Sequence, residues 1–311
     1  MSPKRVLVTG AGGFVGAVLT RRLVTDGHEV HVLVRPGSKY WRLQGILGEL
    51  HPHVADLRDG EAVREAVRAA RPEWIYHLAT HGAYAWQGDA EGILATNVLG
   101  TANLLAALEE FDYELFVNAG SSSEYGKKPF AMRETDPPEP VTTYGVAKVA
   151  QTLLCQQAAR EKTRPIVTLR LFSVYGPFEE PTRLVPTLVR RCLEGKELEL
   201  ADPEIAHDFV FVEDVVEAFL RTDELRKLGG EIVNIGSGVQ TTLAQLVDLV
   251  LRLTQAEVRC RWGAFPRRSW DTDTWVADRT KARRLLGWEP VTPLAKGLAR
   301  TITWTREREA A

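Results

Sequence analysis

The feature that most constrains the fold is the apolar run Arg5-Val-Leu-Val-Thr9, which enters Gly10-Ala-Gly-Gly13-Phe14-Val15-Gly16 and continues as a helical pattern through Leu23 and Val24. A short buried strand, a glycine turn and a helix, in that order, open a fold in which parallel strands alternate with helices. Gly10 can take the tight turn, Gly13 lets backbone amides approach a pyrophosphate, and Gly16 lets the helix pack on the strand. Phe14 and Val15 then lie at the helix N-terminus that faces the anion. A lone glycine set is a weak signal, and its setting between strand and helix is what points to a dinucleotide.

The following strands sharpen that expectation. His28 to Val34 reads as the second strand, with Arg35 at its end, nineteen residues after Gly16. An acidic residue there would bind the ribose diol of NAD, whereas a cation suits the extra phosphate of NADP. Arg35, with Ser38, Lys39 and Arg42 beyond it, therefore favours NADP(H) over NAD(H). Asp56 and Leu57 follow a third strand, and Asp56 is also a candidate N-cap for a helix over Glu61 to Ala70. Glu73 to Ala79 is a fourth strand, whose loop carries His81, Tyr84 and Trp86 at the end where such sheets bind ligands.

Glu114 to Ala119 is a fifth strand and delivers Ser121 at its carboxyl end. Asp136-Pro-Pro-Glu-Pro140 in the next loop excludes a helix interior. Tyr144-Gly-Val-Ala-Lys148 then puts a phenol and an ammonium one helical turn apart on one face. A free phenol has a pKa of about 10, so proton transfer near pH 7 asks the site for about 4 kcal/mol of differential stabilisation. A neighbouring ammonium and a cationic nicotinamide ring are suitable sources.

Taken together, Thr9-Gly10-x-x-Gly13-Phe14-x-Gly16, Ser121, Tyr144 and Lys148 resemble the extended short-chain dehydrogenase/reductase family, and the order of motifs matches over almost the whole chain. The resemblance implies a Rossmann-type doubly wound parallel sheet with a smaller, mixed α/β C-terminal substrate domain. It places the dinucleotide-binding domain at 1–172 plus about 209–236, and the nucleotide-sugar domain at 173–208 and 237–311. It implies catalysis by Ser121, Tyr144 and Lys148, and dinucleotide contacts from Asp56, Leu57, Leu78, Ala79 and Thr80. Asn97 reads as the start of the next helix, and the resemblance also implies it as a supporting polar group.

Within the nucleotide-sugar branch, the usual RxFNxYGP is matched with Ser173 in place of asparagine. RDFxxVxD is matched with His207 in place of arginine. Glu231 to Gly238 resembles the NxGxG strand, and Trp275 to Pro290 the closing signature. Arg183 and Arg267 are the candidates to grip a diphosphate, a task that suits a guanidinium fork. His81, Ser122, Ser123 and Glu124 are further substrate candidates. The Thr-Asp-Glu set of sugar 4,6-dehydratases falls on Ser121, Ser122 and Ser123, so the acid and base of elimination are missing unless a local shift recruits Glu124. Gly120-Ser-Ser-Ser-Glu-Tyr-Gly126 is closer to the GSSEEYG of GDP-6-deoxy-mannose-type 4-ketoreductases.

The expectation is thus reduction of a 4-keto-6-deoxy nucleotide sugar, part of deoxysugar biosynthesis, with C4 epimerisation as the near alternative. A 4,6-dehydratase is less favoured, and a non-catalytic dinucleotide sensor least, since such proteins usually lack the Tyr and Lys. The family also implies a homodimer through a four-helix bundle of Thr101 to Glu110 and Tyr144 to Arg160. Thr242-Leu-Ala-Gln245 reads as a capping box before a helix whose Leu243, Leu246, Val247 and Val250 face a core.

Composition bounds the rest. The 311 residues suffice for one large domain or two modest ones. A net charge of -2 gives no global attraction to nucleic acid or anionic membrane. Cys155, Cys192 and Cys260 lie far apart without a CxxC pair, which suits a reducing compartment and argues against a zinc ribbon, and no metal site is expected. No apolar run approaches the roughly 20 residues needed to span a bilayer, and no signal-peptide pattern precedes Arg5, so the expected location is cytoplasmic.

Overall fold

Among the described residues the chain forms twelve strands, the longer ones in the central sheet rich in β-branched and apolar residues. They are β1 (Arg5–Thr9), β2 (Glu29–Val34), β3 (Leu50–Val54), β4 (Trp74–His77), β5 (Leu115–Ser121), β6 (Ile166–Leu171), β7 (Ser173–Tyr175), β8 (Leu198–Glu199), β9 (Ala206–Phe211), β10 (Ile232–Ile235), β11 (Gln240–Thr242) and β12 (Cys260–Arg261). The helices are α1 (Phe14–Thr25), α2 (Gly60–Ala70), α3 (Ala90–Leu94), α4 (Gly100–Ala107), α5 (Thr143–Lys162), α6 (Leu184–Leu193), α7 (Val212–Phe219), α8 (Thr222–Leu225), α9 (Leu243–Thr254), α10 (Thr280–Leu286) and α11 (Leu294–Glu309). This computed structural model describes residues 2–84 and 86–309.

Seven strands form one sheet in the order β10-β6-β5-β4-β1-β2-β3, with β1 parallel to both β2 and β4. The chain leaves β1 toward β2 and β3 on one side and returns to β4, β5 and β6 on the other. The strand order therefore reverses between β1 and β4, the place where a doubly wound sheet opens a crevice at its carboxyl ends. Leu7, Leu33 and Ile75 on one face of this sheet pack with Val63, Val67 and Leu104 from α2 and α4. Each such fully buried side chain contributes about 1.5–3 kcal/mol.

The chain divides into two compact units, one comprising 1–126, 137–170 and 216–233, and the other 127–136, 171–215 and 234–311. The expected division was simpler. Residues 127–136 belong with the second unit because Met132 bridges Ala277 and its backbone bonds to Val276 and Asp278. Residues 209–215 belong there too, because β9 is the central strand of a separate sheet, β11-β9-β7. In that unit α6, α9 and α11 enclose a core of Val189, Phe211, Leu246 and Leu298.

The capping box at α9 forms as read. Gln245 N–H donates to Thr242 Oγ1 at 3.2 Å, Thr242 N–H donates to Gln245 Oε1 at 2.9 Å, and all four apolar residues of that face are buried. Two other local expectations are corrected. Asp59 caps α2, accepting the N–H groups of Glu61 and Ala62, while Asp56 is held by Arg58. Asn97 does not start a helix: it lies within a π-helical turn, Ala95–Leu99, that joins α3 to α4.

Candidate active site

The turn after β1 is closed by Gly13 N–H donating to Gly10 O at 2.9 Å. Gly10 has φ +73°, and a Cβ there would meet the Ala79 nitrogen at 2.5 Å; a Cβ on Gly16 would meet Gly10 O at 2.2 Å. Only glycine fits either place, so Leu78 and Ala79 lie against the turn. Ala79 N–H also donates to Thr9 Oγ1. Gly13 caps α1 with no side-chain bond, and the first turn of the helix has no acidic residue. The N–H groups of a twelve-residue helix thus meet no competing carboxylate of their own turn.

Beside this turn, Arg35 is exposed at the end of β2, and Ser38 Oγ donates to Arg35 O at 2.6 Å. Arg42 is mostly buried and donates to Gly12 O, which ties the basic segment to the glycine turn. Asp56 is held below the ordinary carboxylate range, first by its hydrogen bond with Arg58 and more weakly by Arg35. Leu57 is buried against Gly100, and its carbonyl accepts from Asn103. Asn97 is wholly buried and clamps the loop after β4. Its Oδ1 accepts from His81 N–H at 2.8 Å and from Thr80 Oγ1 at 3.2 Å, while its Nδ2 donates to His81 O. A π-turn aims such a side chain out of the regular helical register, a device common at functional positions. In the same loop the rings of Tyr84 and Trp86 stack with centroids 4.7 Å apart.

Ser121 ends β5 and caps the 3₁₀ turn Ser122–Glu124, accepting Ser123 N–H on its Oγ at 3.2 Å. Thr142 caps α5. At the start of α5, a Cβ on Gly145 would meet Ser123 O at 2.7 Å, so this glycine lets the helix carrying Tyr144 close on the turn carrying Ser121. One turn further, Lys148 Nζ donates to Ala119 O at 2.6 Å and to Gln151 Oε1 at 2.7 Å. Gln151 donates on to Asn118, which donates to Thr168. Burial pushes the Lys148 ammonium down to about 8, opposed by the charge of Glu124. Ser121, Tyr144 and Lys148, distant in sequence, are thus gathered on β5, its turn and α5.

Two substrate candidates hold charged partners within the protein. Glu124 is wholly buried, with both carboxylate oxygens engaged inside the protein, so it faces no substrate. Arg267, a half-exposed side chain, pairs through Nε with Asp202 at 2.9 Å and through Nη2 with Asp273 at 2.6 Å. Ser122 is buried, and Ser123 is half-buried.

Within the second unit, Ser173 Oγ and His207 Nδ1 are 3.4 Å apart. Burial, and then Arg183, push the His207 imidazole down to about 4. Arg183 is exposed at the N-cap of α6, with Nε 3.9 Å from Glu179. Sequence reasoning missed Glu179, whose carboxyl is pushed up to about 8 by burial, with Oε2 lacking any partner. It also missed Gln151 and Asn118. Gln151 could have been found as a polar residue on the helix face shared with Tyr144 and Lys148; Glu179 left no such signal.

Against this geometry, the family model of the NAD dependent epimerase/dehydratase family matches residues 6–236. The chain belongs to that family. It is 30% identical over 320 residues to the UDP-glucose 4-epimerase of Mycolicibacterium smegmatis, covering 98% of this chain and 99% of that one. Its fold superposes on a UDP-glucose 4-epimerase of Thermotoga maritima solved with UDP-glucose, with TM-score 0.89, 29% identity and coverage of 98% and 99%. A Thermus thermophilus UDP-glucose 4-epimerase solved with NAD gives TM-score 0.87 and 28% identity, covering 97% of this chain and 98% of that one. A nicotinamide dinucleotide fits the residues present, since the turn closes so tightly that no Cβ fits at Gly10 or Gly16, and the α1 N-terminus has no side-chain cap and no acidic residue. No helix among the described residues is long and apolar enough to cross a membrane, and no metal-binding group of His, Cys, Asp or Glu occurs among them.

Proposed function

We propose that this protein moves a hydride at C4 of a nucleoside-diphosphate sugar, with Ser121, Tyr144 and Lys148 as its reacting groups. The dinucleotide would be held by the turn Gly10 to Gly16 with Phe14 and Val15, by Asp56 and Leu57, by Leu78 to Thr80, and by Lys148. When bound, it supplies the hydride-accepting or hydride-donating ring. Tyr144 exchanges the proton of its hydroxyl with the sugar oxygen at C4. Ser121 Oγ donates a hydrogen bond to that oxygen. Lys148, fixed by Ala119 O and Gln151, stabilises the phenolate of Tyr144 and orients the nicotinamide ribose. Ser173, His207 and Arg183 are the proposed sugar and diphosphate contacts, with His81, Ser122 and Ser123 as minor ones.

The finer reading is reduction of a 4-keto-6-deoxy nucleotide sugar by NADPH. The observation that carries it is Arg35, an exposed cation at the end of β2 where a ribose-binding acid would otherwise stand. Withdrawal of Glu124 into the interior supports it, since no carboxylate of the Ser121 turn is left to eliminate water. A second reading, C4 epimerisation, is favoured by relatives that are UDP-glucose 4-epimerases. Nicotinamide absorbance separates the two. Stoichiometric loss of NADPH with a 4-keto-6-deoxy nucleotide sugar supports the reductase; interconversion of C4 epimers without net loss of NADPH supports the epimerase and ends the reductase reading.

We also propose a homodimer through α4 and α5, supported by exposed Leu94, Leu99, Val146 and Leu153 along the helices of that face. Light scattering that gives a monomer mass would end this part. A cytoplasmic location remains the proposal that suits three unpaired cysteines.

A further inference from the structure

The turn that carries Ser121 ends on a carboxylate with no access to solvent. Glu124 Oε1 accepts the Ser121 N–H at 2.8 Å, and Oε2 accepts from Arg170 Nη2 at 2.7 Å. Arg170 is itself buried, with its guanidinium carbon 4.3 Å from the centroid of the buried Tyr125 ring. Burying two charges has a desolvation penalty that their attraction often fails to offset, and a well-packed apolar pair would commonly be no less stable. Stability alone is therefore a poor account of why charges stand here.

Their geometry relates them to the reacting groups. Glu124 Oε1 fixes the backbone of Ser121, while Ser121 Oγ accepts Ser123 N–H, so a reciprocal capping box sets the direction of the hydroxyl. The same carboxylate acts on Lys148 through the interior. Other titratable groups that interact with Lys148 include Cys155 on its own helix and His77 on β4. Burial pushes the Cys155 thiol up to about 12 and the His77 imidazole down to about 3, so both are neutral near pH 7. Tyr144 precedes Lys148 by one turn, and Ala119 O and Gln151 contribute only dipoles. Glu124 is the negative charge opposed to the desolvation of Lys148.

We propose that Glu124, held by Arg170, is a positioning residue of this site: it aims the Ser121 hydroxyl through the capping box and sets the electrostatic surroundings of Lys148. The proposal rests on the assignment of Ser121, Tyr144 and Lys148 to the reaction. It removes Glu124 from the substrate and gives it a role through two residues that touch the chemistry.

The test is Glu124→Gln, which keeps the shape and an oxygen acceptor for the Ser121 N–H and removes the charge. The readout is direct titration of Lys148 by the NMR shift of its labelled ε-carbon in the full-length protein, assigned with Lys148→Met. This measurement needs no turnover, so it stands even if no nucleotide sugar tried is a substrate. Lys148 is expected to lose its proton about one pH unit lower in the variant. An unchanged titration overturns the proposal and leaves the reaction assignment untouched.

With a substrate in hand, kcat is expected to fall by about tenfold or more, with KM and NAD(P) affinity within about twofold. Equal losses in NAD(P) affinity and kcat would overturn it. Because Glu124→Gln strands the Arg170 charge, a second variant, Glu124→Gln with Arg170→Met, removes both. Expected is a folded protein with the lowered Lys148 titration. Wild-type titration in that protein, or failure of both variants to fold, assigns the pair to stability and overturns the proposal.

Discussion

The polar groups around Lys148 and those around His207 differ in how closely they are bonded to one another. On the first unit, Lys148, Gln151, Asn118, Thr168, Glu124 and Arg170 bond to one another or to the backbone at 2.6–3.2 Å, and all are buried. On the second, Ser173 and His207 stand 3.4 Å apart, Glu179 and Arg183 3.9 Å apart, and Glu179 Oε2 has no partner. Arg170 Nε is left without a partner, but so densely bonded a buried network fixes positions, because moving a member strands its neighbours. A buried acceptor without a donor, as at Glu179 Oε2, stands at a cost unless something meets it. The contrast teaches that the proposed chemistry sits on the more densely bonded of the two networks, while the second unit keeps an unmet acceptor at Glu179.

The largest expected effect breaks the first region at its reacting atom. Tyr144→Phe should lower turnover by about 10³-fold while NAD(P) affinity, measured by fluorescence quenching, stays within about twofold. Unchanged turnover would remove Tyr144 from the mechanism. Next comes the dinucleotide: Arg35→Asp should weaken NADPH by about tenfold and leave NADH nearly unaffected, as judged by separate titrations. Equal loss of both would mean that Arg35 meets no 2′-phosphate.

A smaller effect probes the second region. The Glu179 carboxyl, pushed up to about 8, is mostly neutral at pH 7 and ionises above pH 8. KM for the sugar nucleotide should rise roughly threefold between pH 7 and 9 in the wild type and stay flat in Glu179→Gln, which cannot ionise. A rise that survives in the variant would place the titrating group elsewhere.

The least effect concerns stability. Burial, and then the Lys148 charge, hold His77 neutral in the folded protein, where its Nε2 bonds to Thr101 Oγ1, which donates to Asn97 O, and its Nδ1 pairs with Thr9 Oγ1. Its folded pKa is depressed to about 3, so below about pH 6.5 the unfolded chain binds the extra proton. Stability should therefore fall as pH falls, by about 1.4 kcal/mol per unit from this one group. Thermal unfolding of His77→Gln between pH 6.5 and 4.5 should show a shallower loss; an identical slope would contradict the assignment.

Much of this was legible where the determinants are local. The strand, glycine turn and helix at Arg5 to Val24, the Thr242 capping box, and the one-turn spacing of Tyr144 and Lys148 depend on neighbours within a few residues. What escaped depends on distant partners. Glu124 reads as a site carboxylate until Arg170, forty-six residues later, is seen to face it. Residues 127–136 read as part of a loop of the first domain until Met132 is found beside Ala277. Asn97 reads as a helix start because a π-turn has no distinct periodicity, and Asp56 reads as a cap because Asp59, three residues on, is the same chemistry in the position that counts.

The central claim is that a hydride reaches C4 of a nucleotide-linked sugar with Tyr144 managing the proton. Mass spectrometry of the sugar after incubation with NADPH deuterated at the transferring position tests it most directly. The account predicts one deuterium at C4 of a reduced product with the wild type and none with Tyr144→Phe. A conversion that leaves the sugar unlabelled in the wild type, or labelling that persists undiminished in Tyr144→Phe, would contradict it.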